Sequence, residues 1–186
     1  MRVARMTCVG FALFAVIACS TVYVDEPIGM DVVRVEEDDW EGTWVATDGD
    51  TAVVGVRDRD AGVLWIAGVG ESDGELEVES LTVHVRDATH DGRERLLLSV
   101  EDDDRYVWGL VVRDREYAVV YAPDLERFRA LVRDGLLPGR IGEGGEIGGG
   151  DVYLGKLSPD HLEMILAADG AFFEWDDPYV MRRVAR

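Results

Sequence analysis

Residues 40–186 predict an α+β fold. The expected core is an antiparallel β meander of about seven to nine strands, as an open sheet or small barrel, with two short helices in the C-terminal third. Three observations lead there. From Trp40 to Pro123, short apolar or alternating runs are cut repeatedly by Asp/Gly turns, the pattern of antiparallel strands. Beyond Pro123 the apolar spacing becomes helical. No repeat of solenoid period is visible, so residues 40–186 read as a single globular domain.

The expected strands are Thr43–Thr47, Thr51–Arg57, Val63–Val69, Glu75–Arg86, Arg95–Glu101, Arg105–Arg113 and Glu116–Ala122. Turns such as Asp48-Gly49-Asp50 and Ser72-Asp73-Gly74 separate them, because aspartate and glycine tolerate turn geometry. Asp114-Arg115 leaves a two-residue connection and therefore a tight hairpin. Within Glu75–Arg86, Leu76 and Val78 share one parity, whereas Leu81, Val83 and Val85 share the other. A β-bulge near Glu79-Ser80 would reconcile them. Trp108, Leu110 and Val112 alternate with Val107 and Val111, so this strand should be central and covered on both faces.

Two helices can provide that cover. Asp124 is a suitable N-cap for Leu125–Asp134, Gly135 stops it, and Leu125, Phe128, Leu131 and Val132 form its apolar stripe. Ser158 caps a second helix with Pro159 at its first position and Gly170 at its end. A glycine-rich loop, Gly142–Gly150, and a strand over Asp151–Leu157 lie between them. A turn at Asp176-Asp177-Pro178 precedes a last strand over Tyr179–Val184.

The N-terminus has a different character. Arg2 and Arg5 precede thirteen mostly apolar residues, Met6 to Ala18, the layout of a secretory signal. As a helix that stretch rises roughly 20 Å, short of the ~30 Å hydrocarbon core of a bilayer. Val16-Ile17-Ala18-Cys19 resembles the lipobox of bacterial lipoproteins. The resemblance implies that residues 1–18 are a lipoprotein signal peptide and that Cys19 is lipidated, holding the chain at a membrane. Ser20 after the cysteine then implies the outer membrane, facing the periplasm, in a Gram-negative host; in a Gram-positive host the address is the outer face of the plasma membrane. Residues 19–39, ending in Glu36-Glu37-Asp38-Asp39, are expected to be a lipidated acidic tether.

Removing residues 1–18 takes away two arginines and no acid, leaving 38 acidic against 17 basic side chains, a formal charge of −21. That charge disfavours nucleic acid and fits a basic protein or peptide partner. Cys8 lies in the signal, so Cys19 is the only mature cysteine, which excludes an internal disulfide and a thiolate metal site. His84, His90 and His161 show no metal-ligand spacing, and the Asp-rich turns do not complete a calcium loop. No phosphate-binding glycine motif and no G-x-S-x-G elbow is present. No catalytic residue, metal site or cofactor is therefore assigned.

Gly42-Thr43-Trp44 is similar to the Gly-x-Trp signature of the lipocalins, some of which are bacterial outer-membrane lipoproteins. The resemblance implies an up-and-down barrel closed at one end by Trp44, with Arg182 or Arg183 packing across it. The family's second signature, around a Thr-Asp-Tyr, is absent, and two helices and a glycine loop depart from its pattern. Three functions follow. The first is a membrane-anchored envelope lipoprotein with a non-enzymatic interaction or structural role. The second is a lipocalin-like carrier of a small apolar ligand, with Trp44, Trp65, His84, Trp108 and Tyr121 as candidate ligand contacts. The third is a hydrolase using carboxylates that no motif reveals. Metabolic labelling with a clickable fatty acid tests the anchor: Cys19→Ala is expected to lose the label, and retained label removes the lipoprotein assignment.

Overall fold

The computed structural model describes residues 21–72, 75–143, 150–167 and 171–185. The signal, Cys19, Ser20, most of the glycine-rich loop and the helix stop at Gly170 lie outside the described residues. Eight strands form a closed antiparallel barrel: β2 (Gly42–Ala46), β3 (Thr51–Asp58), β4 (Val63–Ser72), β5 (Glu75–Asp87), β6 (Leu96–Asp102), β7 (Arg105–Arg113), β8 (Tyr117–Tyr121) and β11 (Tyr179–Ala185). Each pairs with the next, β6 with β7 included, and β11 closes the circle between β8 and β2. Of the two arrangements open to the meander, it takes the barrel.

Alternation assigns two faces to every barrel strand. Trp44, Val54, Leu64, Val83, Val100 and Met181 point inward and form one core. Trp108 and Leu110 point outward into a second core, built against α2 (Leu125–Arg133) and α3 (Pro159–Ala167). Phe128 of α2 and Phe173 meet the Trp108 ring edge-on, with centroids 5.4 and 5.9 Å away. Strand β7 is thus covered on both faces from Val107 to Val111, while Val112, also expected to be covered, is exposed. Both helix caps form as expected. The Asp124 carboxylate accepts the Arg127 amide at 3.1 Å. Ser158 Oγ accepts from the His161 amide, and His161 Nδ1 accepts from the Ser158 amide, so His161 closes a reciprocal cap.

The expected acidic tether is instead largely built into the fold. β1 (Val22–Val24) pairs with β7 and, in parallel, with β10 (Val152–Leu154), which in turn pairs with β9 (Gly139–Ile141). Val22, Val24, Ile28 and Val35 are buried. The Ile28 amide donates to Ser99 Oγ on β6, the Met30 amide to Asp87 O on β5, and the Val35 amide to Arg59 O beyond β3. The segment is a strap crossing the outside of the barrel from one end to the other. Val22, Val24 and Ile28 join the core outside the wall and Val35 the core within, while Asp25, Glu26 and Asp31 between them stay exposed to water. The strap ends in α1 (Glu37–Trp40), one helical turn in an acidic run that reads as open chain. Three carboxylates in the first turn face the positive end of the peptide dipoles.

Two further expectations change. No bulge interrupts β5: its register against β4 is continuous from Ser72↔Glu75 to Val63↔His84. β3 reaches only Gly68 of β4, and β6 reaches only Val83 of β5. The hairpin therefore projects past the barrel as a two-stranded ribbon, so no change of parity is needed to keep one face of β5 on a core. The β7–β8 connection is a two-residue turn, but its central residues are Arg115-Glu116, because Asp114 and Tyr117 pair across it. The Asp114 carboxylate accepts the amides of Glu116 and Tyr117 at 2.7 and 2.8 Å, which lowers its pKa from the ordinary 3.8.

Phe128→Ala is expected to destabilise the fold by about 3–5 kcal/mol in urea unfolding. A folded-state pKa below the unfolded one gives Asp114 a stabilising contribution that is full above the ordinary carboxylate range and fades as pH falls through the lowered value. The stability difference between wild type and Asp114→Ala should therefore shrink on acidification below about pH 4.

Candidate functional site: a plugged barrel with an acidic mouth

The two ends of the barrel are chemically different. At the base, α1 lays Trp40 under the lumen, and Trp44 Nε1 donates to Trp40 O at 3.0 Å. Both indoles are buried, Trp44 to 2% exposure. Two arginines sit against them. The Arg183 guanidinium lies 5.1 Å from the Trp44 ring centre and donates to Asp38 O at 2.9 Å. The Arg113 guanidinium lies 4.5 Å from the Trp40 ring centre, and its Nη2 is 3.5 Å from the Asp39 carboxylate. Cation–π contacts of this kind contribute about 0.5–2 kcal/mol each. The arginines also engage carbonyls of a helix too short to satisfy its own. The arginine across Trp44 is Arg183; Arg182, of the opposite parity, points away from the lumen.

Above this plug lies a cavity of about 110 Å³. It runs from Trp40 and Trp44 to Thr21, Ala122, Asp177 and Tyr179 at the opposite end, the mouth. Its wall is aliphatic: Val54, Leu64, Ile66, Val100, Ala118 and Met181 among others. Gly109 marks the seam where β7 exchanges one neighbour for another, since Leu110 pairs with Tyr121 of β8 while Val107 pairs with Tyr23 of β1. A Cβ at this position would lie 3.0 Å from Tyr121 O and 3.1 Å from Val120 Cγ1, so any side chain would press on β8, and glycine permits its close approach.

The mouth carries the polar groups. Among the described residues lining the cavity, Asp177 is the only charged one. The Tyr179 hydroxyl is buried there without a hydrogen-bond partner among the described residues. Burial, with Asp48 and Asp50 close by, raises its pKa, so it remains a neutral hydroxyl. The turn bearing those aspartates is fastened to β11 by the Thr47 amide donating to Val180 O. Beside the mouth, Asp124, Glu174, Asp176 and Asp177 line a shallow groove with Arg127. Partial burial raises the Glu174 carboxyl pKa, with Asp124 and Asp177 adding to the effect. No group of three or more His, Cys, Asp or Glu among the described residues is arranged to hold a metal ion.

Of the five candidate contacts, Trp44 faces the lumen squarely. Trp108 belongs to the helix-side core and lines the cavity along one part beside Gly109. The other three are outside. Trp65 lies over Gly55 on the outer wall, His84 pairs with Glu101 at 3.0 Å with Tyr106 edge-on to its ring, and Tyr121 packs at a tilt against Trp175, ring centres 4.1 Å apart. Only His84 opposes a clear apolar parity, that of Leu81, Val83 and Val85; the strands of Trp65 and Tyr121 are apolar on both faces. Trp40, Arg113, Asp177 and Tyr179 are not singled out by sequence. The signal for Arg113 and Tyr179 is weak: each ends or begins a strand, where a polar group usually means a turn.

No protein-family model, no curated protein and no solved structure matches the chain. The base of the barrel can be tested on its own. Arg183→Met, keeping the length but not the charge, is expected to cost about 1–2 kcal/mol of stability. It should also increase acrylamide quenching of tryptophan fluorescence as the base loosens.

Proposed function

We propose that the chain is a membrane-anchored envelope protein whose barrel holds a small apolar ligand in its lumen, in the manner of a lipocalin-like carrier. The observation that carries this reading is the aliphatic cavity above a floor of two buried tryptophans. A cavity of about 110 Å³ is close in size to an apolar cavity of ~150 Å³ that stays dry and takes up benzene. It is well below the ~300–1,000 Å³ of sites for larger molecules, so the ligand is one ring or a short chain. The Gly-x-Trp-to-arginine arrangement, with Trp44 under Arg183, supports the lipocalin-like comparison.

The lipobox-like sequence supports the anchor. Only Ser20 separates Cys19 from Thr21, which lines the mouth, so a lipid on Cys19 would hold the mouth within about 7 Å of chain length of the bilayer surface. An interaction role has one observation in its favour. The projecting β4–β5 ribbon exposes Val69 by 62% and Val78 by 77%, and the two are cross-strand partners.

Toluene titration tests the lumen. At a hundredfold excess over its Kd, a ligand confined to the folded state adds about 2.7 kcal/mol, a rise in Tm of roughly 5 °C or more. Ala118→Leu, which fills the cavity from a wall position, should abolish that rise. Absence of any rise in the wild type would overturn the reading.

A further inference from the structure

Resting on the lumen-binding reading, we infer that the ligand class is a small amine: an apolar body in the barrel with a protonated amino group at the mouth. The cavity's composition sets the two halves. Its depth is mainly hydrocarbon and indole, which favours an apolar body. Its rim offers one carboxylate, Asp177, and one buried hydroxyl, Tyr179, that no other described residue engages. An ammonium group presents three N–H donors. Asp177 and Tyr179 stand two positions apart in the same lining and each can accept, so an ammonium at the mouth finds acceptors there while its body fills the lumen.

The surroundings agree in sign. Asp48 and Asp50 flank Tyr179 from the β2–β3 turn, and Asp124, Glu174 and Asp176 flank Asp177 along the adjoining groove. The basic group in that groove, Arg127, is engaged by the Asp124 carboxylate at 3.1 Å. Carboxylates clustered beside an apolar opening raise the local concentration of cations and lower that of anions, most strongly at low salt. A carboxylic acid of the same shape would place its charge against these carboxylates, and an alcohol, though it can still donate to Asp177, would lose the attraction between opposite charges.

Hexylamine, hexanol and hexanoate separate these cases on the full chain, with tryptophan fluorescence reporting the floor of the lumen. Hexylamine should bind about tenfold or more tightly than hexanol at low salt, and hexanoate more weakly than either. Asp177→Asn should remove most of the amine's advantage over hexanol; Tyr179→Phe should reduce it in part. Equal binding of amine and alcohol to the wild type overturns the amine assignment and leaves the lumen reading intact. Failure of all three to bind overturns both. An amine preference that survives Asp177→Asn and Tyr179→Phe together assigns the head group to another place, and overturns the pairing of Asp177 with Tyr179 as its site.

Discussion

The structure depends on a floor beneath the barrel. An eight-stranded barrel has an interior just wide enough for side chains to fill, and its ends are where packing is hardest to complete. In this chain Trp44 rises from the first barrel strand, Trp40 is brought beneath it by a single helical turn, and Arg113 and Arg183 lie against the two rings. The arginines come from the ends of β7 and β11, so the floor also fixes the position of those strands relative to the strap. Remove the floor, and the aliphatic cavity above it becomes an open tube in which water competes for every apolar contact.

The helix-side core has a complementary task. It stiffens the wall from outside, where Trp108 and Leu110 meet Phe128, Leu131 and the residues of α3. That support is concentrated on β7, the strand whose partner changes from β8 to β1 at Gly109. A seam in a barrel wall leaves ladder positions where pairing is incomplete. Packing Trp108 edge-on between two phenylalanines holds the strand in place where hydrogen bonding alone does less. The ligand space and the structural core therefore share one strand, one on each face.

Much of this is legible in the sequence. The strands from Thr43 to Ala122 and both capped helices follow from alternation, turn residues and caps, since each is decided by neighbours within a few positions. What sequence cannot decide is which face of each strand lies inside. Trp65, His84 and Tyr121 are attractive by residue type, but their parity puts them outside. The strap is hidden because charge in Glu36-Glu37-Asp38-Asp39 obscures a sparse apolar pattern, Val22, Val24, Ile28 and Val35, whose spacing fits no single element and makes sense only against a barrel wall. The ribbon misleads for the opposite reason: Val78 resembles a core residue until its hairpin is seen to outrun the strands on either side.

The floor also has a consequence for when the barrel can form. Arg183 reaches Asp38 across 145 positions of chain, so the first and last parts of the described fold must both be present before the base can lock. Contacts of such separation come late and slowly. The base therefore cannot close until the final strand has been laid against β2 and β8, however much of the meander has already paired.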